Sequence, residues 1–166
     1  MLRTIGLDIG GVIIDSFTND GTDTDFRGDN FMETTPVDGM FVAVSSIVHH
    51  FGAGQVVIVS TCGEGIENKT RLWLEGNQFY KRTRFDPDNL YFCRTRAEEA
   101  PIAAGLKITD FVDDRADVLE YMKGIVKNRY LFGPQKDTPK STAGLTVVKD
   151  WQEAQKLIMG SSTTNP

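Results

Sequence analysis

Short apolar runs alternate with segments of helical periodicity along most of the chain. Apolar residues recur at three- and four-residue spacing over residues 36–51, as on one face of an α-helix. β-branched runs such as residues 55–59 indicate buried strands instead. The pattern predicts strands over residues 4–8, 55–59, 89–93, 109–112, 126–132 and 145–149. It predicts helices over residues 36–51, 68–76, 97–106, 116–123 and 150–159.

This alternation predicts the fold class. Strands that alternate with helices favour a parallel sheet with helices on both faces. We therefore expect an α/β protein, a three-layer Rossmann-like sandwich with a central parallel sheet. The 166 residues suit one domain, placed at residues 1–160, with a disordered tail at residues 161–166. The polar segment 16–35 is expected to be a surface excursion, too short for a large cap domain.

Composition and charge exclude several classes of partner. The net charge is -5, whereas nucleic-acid phosphates need neutralisation by Lys and Arg, so no specific nucleic-acid binding is expected. The N-terminal apolar run is too short for a membrane span and lacks a signal-peptide cleavage pattern. Two cysteines without a C-x-x-C pair suit free thiols in a reducing compartment. We therefore expect a cytoplasmic protein without a membrane partner.

Three of the predicted strands end in polar residues that suit chemistry. Asp8 follows the first strand, Ser60-Thr61 follows the second, and Asp113-Asp114 follows a later one. Because ligands of open α/β sheets bind outside the carboxyl ends of the strands, we expect these side chains to meet at one edge. A carboxylate such as Asp8 can attack phosphorus, and Mg²⁺ takes oxygen ligands that include one or two carboxylates.

These residues form the predicted site. The predicted Mg²⁺ ligands are Asp8, the carbonyl of Gly10, and Asp113 or Asp114. Phosphate oxygens are expected to bind the backbone N–H groups of the Gly10-Gly11 turn and the hydroxyl of Ser60, with Thr61 beside it. An alternative is that Asp113, Asp114 and Asp117 are an acidic cluster that stabilises a helix N-terminus.

The motifs DIGGV, VVIVST and FVDDRADVL, in this order, resemble the first, second and fourth motifs of the haloacid dehalogenase (HAD) superfamily. The resemblance spans about residues 4–133, and residues 92–114 are similar to small nucleotidase-like members. It implies a Rossmann-like core and a Mg²⁺-dependent phosphatase or phosphotransferase that forms an aspartyl-phosphate on Asp8.

Two positions depart from that family's pattern. Most family phosphatases have a second Asp that protonates the leaving group, and here that position is Gly10. General acid catalysis contributes about 10²–10⁴ in rate. The family also has a Lys that pairs with the nucleophile, and spacing puts Glu99 near that place. Lys107, Arg96 and Arg94 are the candidates to replace that Lys in space.

The sequence thus predicts a Mg²⁺-dependent phosphomonoesterase with Asp8, Ser60 and Lys107 as catalytic residues and a phosphorylated substrate. An open site favours a bulky substrate or a homo-oligomer that supplies its own lid. The alternative is a catalytically degenerate relative that binds a phosphate ligand or serves as a scaffold, which Gly10 and Glu99 favour. A non-phosphate hydrolase is disfavoured because paired acids suit a metal.

Overall fold

The computed structural model describes residues 2–15, 26–135 and 139–160. Within them the strands are β1 (Ile5–Leu7), β2 (Val56–Thr61), β3 (Leu90–Cys93), β4 (Asp110–Asp113), β5 (Asn128–Phe132) and β6 (Thr146–Val148). The α-helices are α1 (Met40–Phe51), α2 (Glu64–Gly76), α3 (Phe79–Thr83), α4 (Glu99–Gly105), α5 (Ala116–Tyr121) and α6 (Trp151–Gly160). Single 3₁₀ turns cover Phe31–Glu33, Ala53–Gln55, Pro87–Asn89 and Arg96–Glu98.

The strands form one parallel sheet in the order β3-β2-β1-β4-β5-β6. Leu7 of β1 is in register with Ile58 of β2 on one side and with Val112 of β4 on the other. The chain therefore changes direction across the sheet at β1, and such a switch point is where α/β sheets bind ligands. The predicted fold class, an α/β sandwich around a parallel sheet, is confirmed.

Helices cover both faces of the sheet. Apolar residues of α1, α2, α3 and α6 form a core with one face, and those of α4 and α5 form a second core with the other. In β2, Ile58 belongs to the first core, whereas Val57 and Val59 belong to the second. This alternation follows from the two-residue period of a strand and explains why the run is apolar throughout.

A buried polar network fixes the amino end of β4. The Asp110 side chain has no exposed surface, and Arg3 donates to both of its oxygens, at 2.7 and 3.2 Å. Thr109 donates at 2.6 Å, Asn128 at 3.1 Å and Tyr130 at 3.3 Å. Both carboxylate oxygens therefore have partners, and the charge is neutralised within the fold.

Two helix boundaries differ from the prediction because the effect of a glycine on the helix start was predicted wrongly. α1 begins at Met40 rather than residue 36, because Gly39 has a left-handed backbone (φ 76°) that a helix cannot include. α2 begins at Glu64, so Gly65 lies inside a helix where a loop was expected. α3 was not predicted; it lies between Gln78 and Arg84, two non-glycine residues at positive φ.

Some predictions fall partly outside the described ranges. The predicted surface excursion, residues 16–35, is described only from residue 26, and the predicted tail at residues 161–166 is not described. Among the helices that the structure describes, none has the length and apolar character needed to cross a bilayer.

Candidate active site

A cavity of about 250 Å³ opens at the carboxyl edge of the sheet, where β2, β1 and β4 end. Its lining includes six predicted site residues: Asp8, Gly10, Ser60, Thr61, Asp113 and Asp114. Three segments that are far apart in the sequence therefore meet at one place. The topology explains this meeting, because β1 is hydrogen-bonded to both β2 and β4.

Asp8 is held at the end of β1 by the backbone around it. Its N–H donates to the carbonyl of Val112 at 3.0 Å, and its carboxylate accepts from the Ile9 N–H and the Ser60 hydroxyl. Burial first, then the charges of Asp114 and Glu99, raises the pKa of the Asp8 carboxyl well above its usual range. A cation beside Asp8 would counter these effects and favour the ionised form.

The turn after β1 uses some of the groups that were predicted to bind phosphate. Gly11 has a left-handed backbone (φ 75°), and its N–H donates to the Ile14 carbonyl at 2.9 Å. The prediction that the Gly11 N–H binds phosphate is therefore corrected, because the turn already uses that group. Gly10 is exposed and lines the cavity, and a Cβ added to it would have no heavy atom within 4 Å.

Asp113 ends β4 with its side chain almost fully buried, at 1% exposure. One carboxylate oxygen accepts the Arg115 N–H at 2.9 Å, and the other, Oδ2, is buried without a hydrogen-bond partner among the described residues. Burial, followed by the charges of Asp8 and Glu99, raises the pKa of Asp113 well above its usual range. Asp114 is half-buried at the cavity wall.

Glu99 lies in the site, whereas its predicted significance was only that an acid stands in place of a Lys. It is the first residue of α4, its exposure is 1%, and the Thr61 hydroxyl donates to Oε1 at 2.5 Å. Its other oxygen, Oε2, has no partner within the described part of the chain. Burial raises the pKa of Glu99 to about 7. Thr61 therefore holds Glu99, which was not the predicted role of Thr61.

The cations nearest the site are arginines that already have an acidic partner. Arg96 and Arg115 line the cavity, and both bind Asp117, at 3.2 and 3.1 Å. Arg94 pairs with Glu67 at 3.0 Å. Of the three candidates for the missing Lys, only Arg96 lines the cavity.

Lys107 does not lie at this cavity. It follows α4 and precedes β4, is exposed, and lines a second cavity of about 310 Å³ with Leu2, Thr4 and Gln55. That cavity lies at the amino edge, and crossing the sheet along β4 takes about 3.3 Å per residue. The prediction that Lys107 belongs to the catalytic set is therefore corrected.

The donor set fits a hard divalent cation. A carboxylate oxygen from each of Asp8, Glu99 and Asp113 lies within 4.8 Å of the other two. Buried carboxylates cost free energy unless they are paired or bind a metal. Mg²⁺ and Ca²⁺ both prefer such oxygen ligands.

Comparison with known proteins places the fold. No protein-family model matches the chain, and no curated protein matches it in sequence. A HAD-superfamily hydrolase from Ehrlichia chaffeensis is similar in structure, with a TM-score of 0.60 and 11% identity over 96% of this chain and 98% of that chain. A de novo designed Rossmann 3x3 fold protein has a TM-score of 0.45 and 14% identity over 99% of this chain and 98% of that chain. The first likeness shows that this chain shares the fold of that hydrolase.

Proposed function

We propose that the protein is a Mg²⁺-dependent phosphohydrolase that uses Asp8 as its nucleophile. The observation that supports this most is the meeting of the Asp8 carboxylate with the buried, incompletely partnered carboxylate of Asp113 in one cavity. Uncompensated buried charge points to a ligand of opposite charge. A nucleophilic carboxylate beside a cation site is what transfer of a phosphoryl group to Asp8 requires.

The cation would be held by Asp8 and Asp113, with Asp114 and the Gly10 carbonyl as further oxygen donors at the cavity wall. When bound, Mg²⁺ neutralises charge on the phosphoryl group and favours the ionised form of Asp8. This neutralisation matters because the carboxylates of the site would otherwise repel a phosphate dianion.

The chain's own residues account for the bond changes. An Asp8 oxygen attacks phosphorus, the P–O ester bond breaks, and the leaving oxygen takes its proton from water, since residue 10 carries no acid. Water then attacks the aspartyl-phosphate, which releases inorganic phosphate and restores the Asp8 carboxylate. The Ser60 hydroxyl, which donates its one proton to Asp8, orients the nucleophile, and it would turn from Asp8 to donate to a phosphoryl oxygen when substrate binds.

Arg96 and Arg115 supply the positive charge that the family's Lys would otherwise provide. Both line the cavity, and their side chains are 47% and 42% exposed. Exposed ion pairs are weak, about 0–1 kcal/mol, so turning from Asp117 to a phosphoryl group costs little. Substrates are expected to be phosphomonoesters with good leaving groups.

A second candidate function is a catalytically silent protein that binds a cation or a phosphate ligand. Two observations favour it: Gly10 provides no general acid, and Glu99 puts an acid where a cation would pair with the nucleophile. The acid would weaken phosphate binding through like-charge repulsion.

Turnover of p-nitrophenyl phosphate with Mg²⁺ separates the two candidates. Asp8→Asn should lower kcat by about 10³-fold or more, because loss of a nucleophile removes the covalent route. Asp88→Asn, an exposed control on the 3₁₀ turn before β3, should match the wild type. If wild type and Asp8→Asn are equally inert with Mg²⁺ and Mn²⁺ while phosphate still binds, the silent protein is the correct reading.

A further inference from the structure

The charges that line the cavity are mostly negative. The acidic residues at its wall are Asp8, Asp15, Glu99, Asp113 and Asp114, and the basic ones are Arg96 and Arg115. Both arginines share the same acidic partner, Asp117. The inner part of the cavity is therefore built from carboxylates, with its positive charge at the rim.

Glu99 is placed as part of that inner group rather than as a surface acid. The helix α4 packs against β2, and its first residue brings the carboxylate to the carboxyl edge of the sheet. Thr61 fixes one oxygen at 2.5 Å, so the side chain is held in one position. The other oxygen is buried without a partner in the described residues, as is Oδ2 of Asp113.

The three carboxylates are close enough together to share one coordination sphere. One oxygen each from Asp8, Glu99 and Asp113 lies within 4.8 Å of the others. Two oxygens on opposite sides of an ion lie about 4.2 Å apart for Mg²⁺ and about 5 Å apart for Ca²⁺. The two carboxylates that carry the unpartnered oxygens, Glu99 and Asp113, thus both belong to a group that one cation can bridge.

We propose that Glu99 is a cation ligand, and that Asp8, Glu99 and Asp113 form a three-carboxylate site that binds a divalent cation without any phosphorylated substrate. The inference rests on the proposed function for the place of the cation and adds a ligand to the predicted set. Mg²⁺ sites of phosphoryl transfer usually combine one or two carboxylates with substrate oxygens and water. A third carboxylate replaces part of the substrate's contribution, so the cation binds first.

Cation binding to the full chain, measured by titration calorimetry with MnCl₂ after EDTA treatment and without phosphate, tests this proposal. The wild type should bind one Mn²⁺. Glu99→Gln should bind it at least about tenfold more weakly, because even partners of metal ligands are worth 10–100-fold in affinity. Glu98→Gln, a neighbouring exposed acid that accepts from Thr95, is the matched control and should stay within about twofold.

Equal Mn²⁺ affinity of the wild type and Glu99→Gln would overturn the proposal, as would the absence of Mn²⁺ binding by the wild type. A second measurement does not depend on the folding of a variant. Crystals of the wild type soaked in MnCl₂ should show an anomalous peak within coordination distance of the Glu99 carboxylate. A peak bound by Asp8 and Asp113 but distant from Glu99 would overturn it.

These outcomes separate the proposal from the proposed function. If Glu99→Gln hydrolyses phosphate esters normally and binds Mn²⁺ as tightly as the wild type, Glu99 is not a cation ligand, and the proposed enzymatic function stands. If Glu99→Gln binds Mn²⁺ more weakly than the wild type, but the wild type hydrolyses no phosphate ester, the cation site is supported and the proposed enzymatic function is wrong.

Discussion

Asp110 and Asp113 lie at opposite ends of β4 and are buried to the same extent, at 0% and 1% exposure, yet their surroundings differ. Asp110 accepts hydrogen bonds from four side chains, those of Arg3, Thr109, Asn128 and Tyr130. Asp113 accepts from one backbone N–H, and its second oxygen has no partner among the described residues. Its nearest charged neighbours include the acids Asp8 and Glu99.

We interpret this difference as that between a carboxylate that stabilises the fold, Asp110, and one that binds a ligand in the proposed function, Asp113. A buried charge is tolerated when the fold supplies the opposite charge and the hydrogen bonds, as at the amino edge of the sheet. At the carboxyl edge the fold supplies no such partner for Asp113, so ionising this carboxyl costs free energy unless a cation binds beside it. We therefore expect the amino edge to stabilise the protein and propose that the carboxyl edge binds a ligand.

The largest effect is expected at the amino edge. Asp110→Ala should lower the free energy of unfolding by about 3–5 kcal/mol, because it leaves the Arg3 charge, 17% exposed, without its carboxylate. Urea denaturation of the wild type and the variant measures this. A loss below about 1 kcal/mol would mean that the buried network around Asp110 does not stabilise the fold.

A new carboxylic acid at residue 10 should protonate the leaving group at the carboxyl edge. Gly10→Asp adds a carboxylic acid where a Cβ meets no neighbour and the φ angle does not require glycine. It should raise kcat for alkyl phosphates by about tenfold or more, because general acids contribute up to 10²–10⁴. p-Nitrophenyl phosphate, whose leaving group needs no proton, is the matched control substrate. An equal change for both substrates would contradict a role in leaving-group protonation.

Substitution of Asp113 should change the free energy of unfolding in the opposite direction to substitution of Asp110. In EDTA, Asp113→Asn should raise the free energy of unfolding by about 1 kcal/mol, because an amide removes a buried charge and can donate to neighbouring carboxylates. Thermal melts with and without MnCl₂ measure this gain, and they should also show that the cation no longer stabilises the variant. A destabilised variant would mean that Asp113 is structural like Asp110.

The smallest effect is expected at the rim. Asp117→Asn should change the free energy of unfolding by less than about 1 kcal/mol, because its ion pairs with Arg96 and Arg115 are half exposed. The released arginines should lower the KM for a phosphate ester by a few fold. An unchanged KM with unchanged stability would remove the arginines from substrate binding.

The sequence was informative wherever the signal is local. β-branched runs located the strands, and the strand ends then placed Asp8, Ser60 and Asp113 together through the parallel topology. What it could not provide were contacts between distant side chains. The pairing of Arg3 with Asp110 spans 107 residues and leaves no local pattern.

The misplaced residues have the same explanation. Glu99 begins α4 and Lys107 follows it, so the helix carries the two residues to opposite edges of the sheet, and only Glu99 lines the cavity. The spacing placed Glu99 where the HAD pattern has a Lys. Lys107 was predicted to be catalytic because a cation was expected to pair with the nucleophile. α3 was missed because Gln78 and Arg84, at positive φ, carry no glycine signal.

The role of Asp8 as nucleophile beside a cation is tested most directly by a crystal of the wild type grown with Mg²⁺ and beryllofluoride, which mimics a phosphoryl group on a carboxylate. We expect density bonded to an Asp8 oxygen, with the cation contacting both Asp8 and Asp113. Beryllofluoride absent from Asp8, with the cation bound elsewhere on the chain, would contradict it.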